Sequence, residues 1–273
     1  MKGLGNLLTC FALIAFAFAC TKEGEFQNDE YSTDNEHIKS SSNCLSKQVY
    51  LYDISGRIKE KQGTYSYERY LYDKNDRLEK VESAWDMSSI SSSSFLPGQK
   101  TGLMTSANVT INLYSSYKYD KAGRLSKIEN YFIKNGKNFE LTSIKSFEYE
   151  GALICRENLC DEKGQIMQFY DYSYDKNGNI TKEKNYICMF TGLSNPELNY
   201  ETTYKYDNYK NPFQILNILG PKFYTGSNNM IEMTTKWYSS NPRTEISKQT
   251  FKYNAKGYPV KMTYDSGVEK YVY

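Results

Sequence analysis

The pattern of aromatic and polar positions predicts β-strands along most of the chain after residue 45. A short unit recurs in which two aromatic residues, separated by one residue, precede an acid, two further residues and a glycine, and an aliphatic residue stands two positions after that glycine. A spacing of two places both aromatic side chains on one face of a strand. Helical periodicity is weak after residue 20. The pattern therefore predicts an all-β protein.

The recurring unit is predicted to form the tip of a β-hairpin. Its acid can accept backbone N–H bonds two residues further on, and its glycine supplies a positive φ. Together they suit a turn closed by a left-handed residue. The copies lie at 50–58, 70–78, 117–125, 172–180, 204–212 and 251–260, with a shortened copy at 147–151. The predicted structural turn residues are Asp53, Gly56, Asp73, Asp120, Gly123, Asp175, Gly178, Asp207 and Gly257.

Other turn signals alternate with these copies and predict an antiparallel up-and-down meander of roughly fifteen strands. Such a meander of hairpins forms one large twisted sheet, which can stay open or close into a barrel. Two inserts interrupt it: a Ser-rich stretch at 83–110, expected to be a mobile loop, and an apolar stretch at 208–229, expected to fold over a surface or end of the sheet. Leu78 and Val81 are three residues apart, which requires either a bulge or burial of both faces.

The first residues form an export signal. A basic start and an apolar run predict a signal peptide at 1–19, and Ala17 to Ala19 fits an ordinary signal-peptidase site. The same residues followed by Cys20 resemble a bacterial lipobox, although Ala17 replaces the usual leucine. A polar segment begins directly after Cys20 and favours lipidation, which would anchor the chain by two or three acyl chains. We expect a flexible tether at 20–45 and a β domain at 46–273.

The residue after Cys20 bears on the membrane to which the lipoprotein is delivered. By resemblance to lipoprotein sorting in well-studied Gram-negative bacteria, Thr21 points to the outer membrane. Glu23 and Glu25 resemble the acidic surface-export signal of Bacteroides-type lipoproteins, but Lys22 interrupts it. The cell surface and the periplasmic face therefore both stay open.

The amino-acid composition limits the kinds of core, ligand and catalytic site that the chain can form. The chain holds 27 tyrosines among 273 residues, and its mean hydropathy is −0.70, so tyrosine rings must supply much of any core. A formal net charge of +2 gives no general attraction to nucleic acid. The single histidine, His37, lies in a polar stretch and is expected to be a solvated loop residue. One histidine excludes most His-based dyads and metal sites, and we expect no cofactor and no metal.

Four cysteines remain after the signal and the proposed anchor: Cys44, Cys155, Cys160 and Cys188. They permit two disulfides in an exported protein, with three pairings. The alternative is that they are free buried thiols.

The unit Tyr-x-Tyr-Asp-x-x-Gly-Arg-Leu, seen at 117–125, is similar to the YD repeat of RHS-type cell-surface proteins. With the lipobox-like start and the Asn211-Pro212-Phe213 segment, the chain resembles an uncharacterised family of Bacteroides-type lipoproteins. That resemblance implies a porin-like β fold over about residues 46–273 and carries no catalytic or binding residue. A membrane-inserted barrel is disfavoured, because charged residues such as Lys118 and Glu148 alternate with the aromatic ones.

Three functions remain in competition. The first is a non-enzymatic envelope lipoprotein that binds a glycan or a protein, with Trp85 and Trp237 as candidate ligand-contact aromatics. The second is an accessory subunit of an outer-membrane assembly that docks through sheet edges or inserts. The third is a carboxylate-dependent glycan hydrolase, disfavoured because turns explain nearly all recurrent acids. The expected partners are therefore the membrane, through the lipid, and a glycan or protein.

Overall fold

The computed structural model describes residues 37–43, 46–85, 102–134, 136, 138–188, 195–238, 241–265 and 267–273. These residues form sixteen antiparallel strands that close into one barrel, in which sequence neighbours pair throughout and the first strand pairs with the last. The all-β, up-and-down prediction is confirmed, and the sheet is closed. The predicted signal peptide, Cys20 and most of the tether lie outside the described residues, as does Cys44.

The strands beside the closure are short, and the longer strands lie farther from it. Their bounds are β1 Ser40–Ser42, β2 Lys47–Tyr52, β3 Ile58–Gly63, β4 Ser66–Tyr72, β5 Leu78–Trp85, β6 Leu113–Tyr119, β7 Leu125–Lys134, β8 Asn138–Glu150, β9 Leu153–Cys160, β10 Ile166–Tyr174, β11 Ile180–Ile187, β12 Glu197–Lys210, β13 Asn228–Trp237, β14 Arg243–Tyr253, β15 Pro259–Tyr264 and β16 Gly267–Val272. Two 3-10 helices, Pro212–Leu219 and Phe223–Thr225, lie between β12 and β13.

The turn of the first repeat copy shows how the acid and the glycine act. The Asp53 carboxylate accepts from the backbone N–H groups of Ser55 at 2.9 Å and Arg57 at 3.0 Å. Gly56 has φ +74°, and its N–H donates to the Asp53 carbonyl at 3.0 Å. The same arrangement recurs at Asp73, Asp120, Asp175 and Asn254. Glycines with φ near +80° follow at Gly123, Gly178 and Gly257, whereas Asp76 takes φ +60° in the second copy. These hairpin tips define one end of the barrel, called here the repeat end.

A β-bulge follows the turn and resolves the spacing of Leu78 and Val81. The β4–β5 register shifts so that Leu78 pairs with Tyr72 and Val81 pairs with Tyr70. Both aliphatic side chains are buried in the same cluster. The bulge therefore sends two residues three positions apart to the inner face.

The first aromatic residue of the unit fills the barrel, and the second closes gaps in the sheet. Tyr50, Tyr70 and Tyr117 are buried in the inner cluster. The β5–β6 ladder pairs only Lys80–Ser83 with Ser116–Leu113, so Leu78 has no partner on β6. The Tyr119 hydroxyl instead donates to the Leu78 carbonyl at 2.8 Å.

This tyrosine bridge runs around the repeat end. The equivalent hydroxyl-to-carbonyl bonds, all 2.7–2.8 Å, are Tyr52 to Ile38, Tyr72 to Ile58, Tyr149 to Leu125, Tyr174 to Ile154, Tyr206 to Ile180 and Tyr273 to Pro259. Burial raises the pKa of Tyr72 to about 12, so its hydroxyl stays protonated and keeps donating. Of the two aromatic residues in each unit, the first thus buries its ring in the barrel and the second bridges neighbouring strands through its hydroxyl.

Removal of one bridging hydroxyl should be measurable. Tyr119→Phe leaves the ring in place but removes the donor to the Leu78 carbonyl, and we expect a loss of about 1–3 kcal/mol in unfolding free energy. Urea denaturation checks this value. Tyr131→Phe is the control, because the Tyr131 hydroxyl bonds only to the outer-wall Glu129 side chain. Equal losses in the two variants would mean that the bridge contributes nothing special.

The arginine of the unit joins successive hairpins. Arg57 forms an ion pair with Asp53 of its own turn at 2.7 Å and lies over the Tyr72 ring of the next hairpin at 4.4 Å. Arg77 over Tyr119 and Arg124 over Tyr149 repeat the stacking.

The barrel closes through a repeat copy that is divided between the two ends of the described chain. Tyr271 is buried and Tyr273 bonds to Pro259, as the aromatic pair of a complete copy would. His37 and Ile38 supply the other half: His37 stacks on Tyr52 at 4.7 Å, the position held by arginine elsewhere. His37 does lie in a bend outside the strands, as expected, but it is half-buried rather than fully solvated, because it stacks on Tyr52 and completes the ring.

The copy at 204–212 does not form a hairpin turn, which corrects the prediction for Asp207. β12 continues past Asp207 to Lys210, and the Asp207 carboxylate accepts from the Tyr253 hydroxyl and the Asn229 backbone. Residues 211–227, called here the plug, then enter the barrel at its repeat end. Leu216 joins the inner cluster.

The plug packs against strands at several positions around the lumen. Phe213 packs against Tyr50 at 6.2 Å and Tyr271 at 5.7 Å, on the strands beside the closure. Phe223 stacks on Tyr204 of β12 at 5.3 Å. The repeat end is therefore filled by tyrosine rings and by this inserted segment.

The outer wall is polar and laced with ion pairs between neighbouring strands. Arg69 pairs with Glu82, Arg156 with Asp171 at 2.6 Å, and Lys205 with Glu232 at 2.7 Å. Ionised side chains on the outer wall of a barrel are costly to place in hydrocarbon and are readily solvated by water.

Neither of the two described helical segments is long and apolar enough to cross a membrane.

Three cysteines fall within the described residues, and Cys155, Cys160 and Cys188 are unpaired there. The structure therefore favours free thiols at these three positions over the disulfide alternative.

The expected mobile loop at 83–110 falls mostly outside the described residues. Its last part, from Gly102, returns to the barrel, where the Met104 N–H donates to the Gly63 carbonyl at 2.9 Å.

Candidate functional site: the barrel lumen

Strand number makes the interior wide. Sixteen strands spaced about 4.8 Å apart and tilted by about 40° enclose a circle of about 30 Å in diameter. Wall side chains alone do not fill such an interior. The plug and the tyrosine rows occupy the repeat end, whereas the opposite end, called here the open end, keeps inner-face residues in contact with water. The side chain of Glu245, for example, is 55% exposed.

Trp237 lies on the inner face near the open end. The β12–β13 register pairs it with Tyr200 and pairs Thr235 with Thr202, in phase with the buried Tyr204. The Trp237 and Tyr200 rings pack at 4.9 Å. The result is an aromatic platform that faces the lumen.

Two charged side chains border this platform. The Arg243 guanidinium lies over the Trp237 ring at 4.8 Å, and the Trp237 indole N–H donates to Glu245 at 3.1 Å. Arg243 and Glu245 form an ion pair at 2.7 Å. A flat ring beside fixed donors and acceptors can stack a planar or ring-shaped molecule and bond to its polar edge.

Trp85 lies at the same end on the opposite side of the barrel. Its partner Ser66 is in phase with Glu68 and Tyr70, which places Trp85 on the inner face, and it is 47% exposed. β5 and β13 are eight strands apart in a ring of sixteen. The two predicted aromatics therefore share one opening but not one binding surface.

The wall around Trp237 is rich in hydroxyl and amide groups. Thr202 and Thr235 share a hydrogen bond of 3.0 Å between their hydroxyls. Gln168 donates to the Tyr170 hydroxyl at 3.2 Å. Side chains of this kind can exchange their mutual bonds for bonds to a polar ligand.

A charged layer separates the open end from the tyrosine core. Lys145 bonds to Glu157 at 2.6 Å, and Lys222 of the plug acts on the same carboxylate. Burial works to raise the pKa of Glu157, but attraction to Lys145 and Lys222 outweighs it and holds the pKa below its ordinary value. The plug is thus joined to the wall by charge as well as by aromatic packing.

Glu183 differs from Glu157 although both face the lumen. It accepts from the Tyr200 hydroxyl at 3.1 Å, and burial raises its pKa above the ordinary value despite that bond and the nearby Lys222. The carboxylate therefore connects the aromatic platform to the charged layer.

Glu183 gives the stability a defined pH dependence. Because its pKa is raised on folding, the unfolded chain ionises first as pH rises, and stability falls between the unfolded and folded pKa values. Glu183→Gln keeps an acceptor for Tyr200 but removes the charge. We expect the variant to melt at a higher temperature than the parent at neutral pH, with the difference vanishing at acid pH. An equal decrease at both pH values would contradict this account.

A cavity of about 390 Å³ lies at the repeat end, between the plug and the tyrosine ring. Its lining includes Tyr119, Tyr149, Ile218 and Pro221. The hydroxyls of Tyr119 and Tyr149 in this lining are already bonded to backbone carbonyls. Within the described ranges, no cluster of three or more His, Cys, Asp or Glu residues could hold a metal ion.

No protein-family model matches the chain, and no curated protein matches it significantly. Among solved structures, a porin-like protein from Bacteroides vulgatus is similar at a TM-score of 0.52 and 11% sequence identity, covering 87% of this chain and 98% of that one. A porin-like protein from Bacteroides uniformis aligns at a TM-score of 0.40 and 11% identity, over 86% and 97% of the two chains. The Photorhabdus luminescens Tc holotoxin pore aligns at a TM-score of 0.30 and 12% identity, over 80% of this chain and 12% of that one.

The Bacteroides vulgatus similarity confirms a porin-like β fold, as expected from the sequence resemblance. The class defined by the fold and the lumen is thus a closed, internally plugged porin-like barrel. The relation to RHS-type YD repeats stays a prediction.

Sequence reasoning named both tryptophans but missed their setting. Arg243, Glu245 and Tyr200 carry no motif, and they meet Trp237 only through strand register. The closing pair Tyr271 and Tyr273 was also missed, although its aromatic spacing of two was visible.

Proposed function

We propose that this protein is a non-enzymatic envelope lipoprotein whose barrel lumen binds a glycan through the platform around Trp237. The supporting observation is an indole and a phenol ring packed together, bordered by Arg243 and Glu245, at a water-accessible opening. Sugar rings offer apolar faces that stack on aromatic rings and hydroxyl edges that bond to charged groups and amides. The surrounding wall of hydroxyls and amides supports a polar ligand over an aliphatic one.

Binding is favoured over hydrolysis. Glu157 and Glu183 have pKa values shifted in opposite directions, which is a feature of acid–base pairs in glycosidases. Glu157 is only 3% exposed, however, and its carboxylate is held by Lys145. A substrate would have to displace that buried ion pair before meeting the carboxylate. We therefore assign the pair to anchoring the plug.

An accessory role in a larger assembly is the second candidate. Partners often add a strand to an exposed sheet edge. Among the described strands, closure through β1 and β16 pairs both edges, which removes that docking mode. Binding through the lumen is therefore the better-supported proposal.

We further propose an orientation on the membrane. His37, the first described residue, lies at the repeat end against Tyr52. If Cys20 carries the lipid, the tether reaches the barrel at this end, and the open end with Trp237 is directed away from the membrane. A ligand would then enter from the side opposite to the anchor, at the outer membrane or cell surface.

Trp237→Ala is expected to weaken glycan binding about tenfold or more, because a stacked aromatic anchor typically dominates such contacts. A glycan array with the purified protein identifies the ligand, and titration calorimetry then measures its affinity for the parent and the variant.

Phe139→Ala serves as the control, since Phe139 is an exposed aromatic residue whose ring packs against Tyr114 on the outer wall. An unchanged affinity in Trp237→Ala, or an equal loss in Phe139→Ala, would refute the proposed site. A blank array would refute the glycan as ligand.

A further inference from the structure

On the inner face of the barrel near Trp237, acidic side chains outnumber basic ones. Strands β9 to β16 carry acidic residues whose side chains face the lumen. Each of these acids pairs across the sheet with a residue that is in phase with the buried tyrosines, which places it on the inner face. These acids are Glu157, Glu183, Glu197, Glu245 and Glu269. The bases facing them from the same strands and the plug are Arg243 and Lys222.

The bases of this region are already engaged. Arg243 is bonded to Glu245, and Lys222 acts on both Glu157 and Glu183. Lys145, which approaches from β8, is bonded to Glu157. A ligand in this half of the lumen therefore meets a surplus of carboxylates, and two of the three cations near it, Arg243 and Lys145, are already held in ion pairs.

We propose that the site selects glycans that carry protonated amines over their neutral counterparts and excludes glycans that carry carboxylates. This inference rests on the glycan-binding function proposed above and adds the ligand's charge class. Glu245 is the residue best placed to read that charge, because it borders the Trp237 platform and is the exposed partner of the indole N–H. Glu197, on the neighbouring strand β12, extends the same field along the wall.

The physical basis is Coulomb attraction in a partly enclosed space. An ammonium near an acidic wall gains more than it would in bulk water, since the low-dielectric wall focuses the field. A uronate meets the reverse sign. Because the opening is wet, added salt should reduce both effects.

The test uses three matched oligosaccharides with the full protein: N-acetylchitohexaose, its deacetylated form with free amines, and hexagalacturonate. At low salt we expect the deacetylated hexamer to bind about three- to tenfold tighter than the acetylated one, and hexagalacturonate not to bind. High salt should shrink the preference.

Glu245→Gln should remove most of this preference. The matched control is Glu201→Gln, which changes the net charge equally but alters the outer wall, where Glu201 faces Lys182 at 3.5 Å and Lys184 at 3.7 Å. A preference that survives Glu245→Gln, or that falls equally in both variants, would overturn the assignment of charge selection to the lumen.

The outcomes separate the two proposals. Binding of all three hexamers with similar affinity, lost in Trp237→Ala, would sink the charge inference and leave the glycan site standing. Tightest binding by hexagalacturonate would do the same. Failure of every hexamer, together with a blank glycan array, would remove both proposals.

Discussion

Replacing Tyr271 with alanine is expected to lower the free energy of unfolding by about 3–5 kcal/mol, among the largest effects of any single substitution here. Tyr271 is buried on β16, the strand that closes the barrel against β1, and it packs against Phe213 of the plug. Its removal leaves a ring-sized cavity at the point where closure and plug meet. Urea unfolding followed by circular dichroism provides the measurement.

Tyr238→Ala is the matched control for this prediction, because Tyr238 is 49% exposed just beyond the end of β13. We expect it to change stability by well under the amount found for Tyr271. Similar losses for the two tyrosines would show that the closing copy is not a principal anchor of the barrel.

Leu216→Ala is expected to cost about 2–5 kcal/mol, since it truncates the leucine that the plug buries in the inner cluster. The effect should exceed that of any wall residue exposed to water, because the plug joins strands on both sides of the lumen. Chemical denaturation measures the loss, and susceptibility to limited proteolysis at 211–227 should rise in parallel.

Ile218→Ala, on the same 3-10 helix, is the control for the plug. Ile218 is 38% exposed, and its truncation should cost much less than that of Leu216. If both variants unfold at the parental denaturant concentration, the plug does not contribute to the core in the way described.

The hairpins at the repeat end were the most predictable part of the fold. Asp73 and its arginine, four residues later, interact within one turn, and the positive φ at Gly123 depends on residues beside it in sequence. Such local chemistry can be recognised from the spacing alone. The all-β meander followed from repeating that spacing along the chain.

The structure differs from the sequence-based predictions at residues that contact partners far away in the sequence. Asp207 has the sequence of a turn but lies within β12, because Asn229 and Tyr253 supply partners for its carboxylate. His37 has no local motif, yet Tyr52 provides a stacking surface for it after closure. Each outcome depends on strands that are far apart in the sequence.

The sequence by itself determined the hairpin units, their turn chemistry and the single antiparallel sheet, since these depend on residues within about ten positions of one another. The tertiary structure decided the closure, the insertion of residues 211–227 into the lumen and the meeting of Trp237 with Tyr200, Arg243 and Glu245. The reason is geometric: strand number and register set the width of the barrel and the side chains that share its inner face, and neither is encoded in any one repeat.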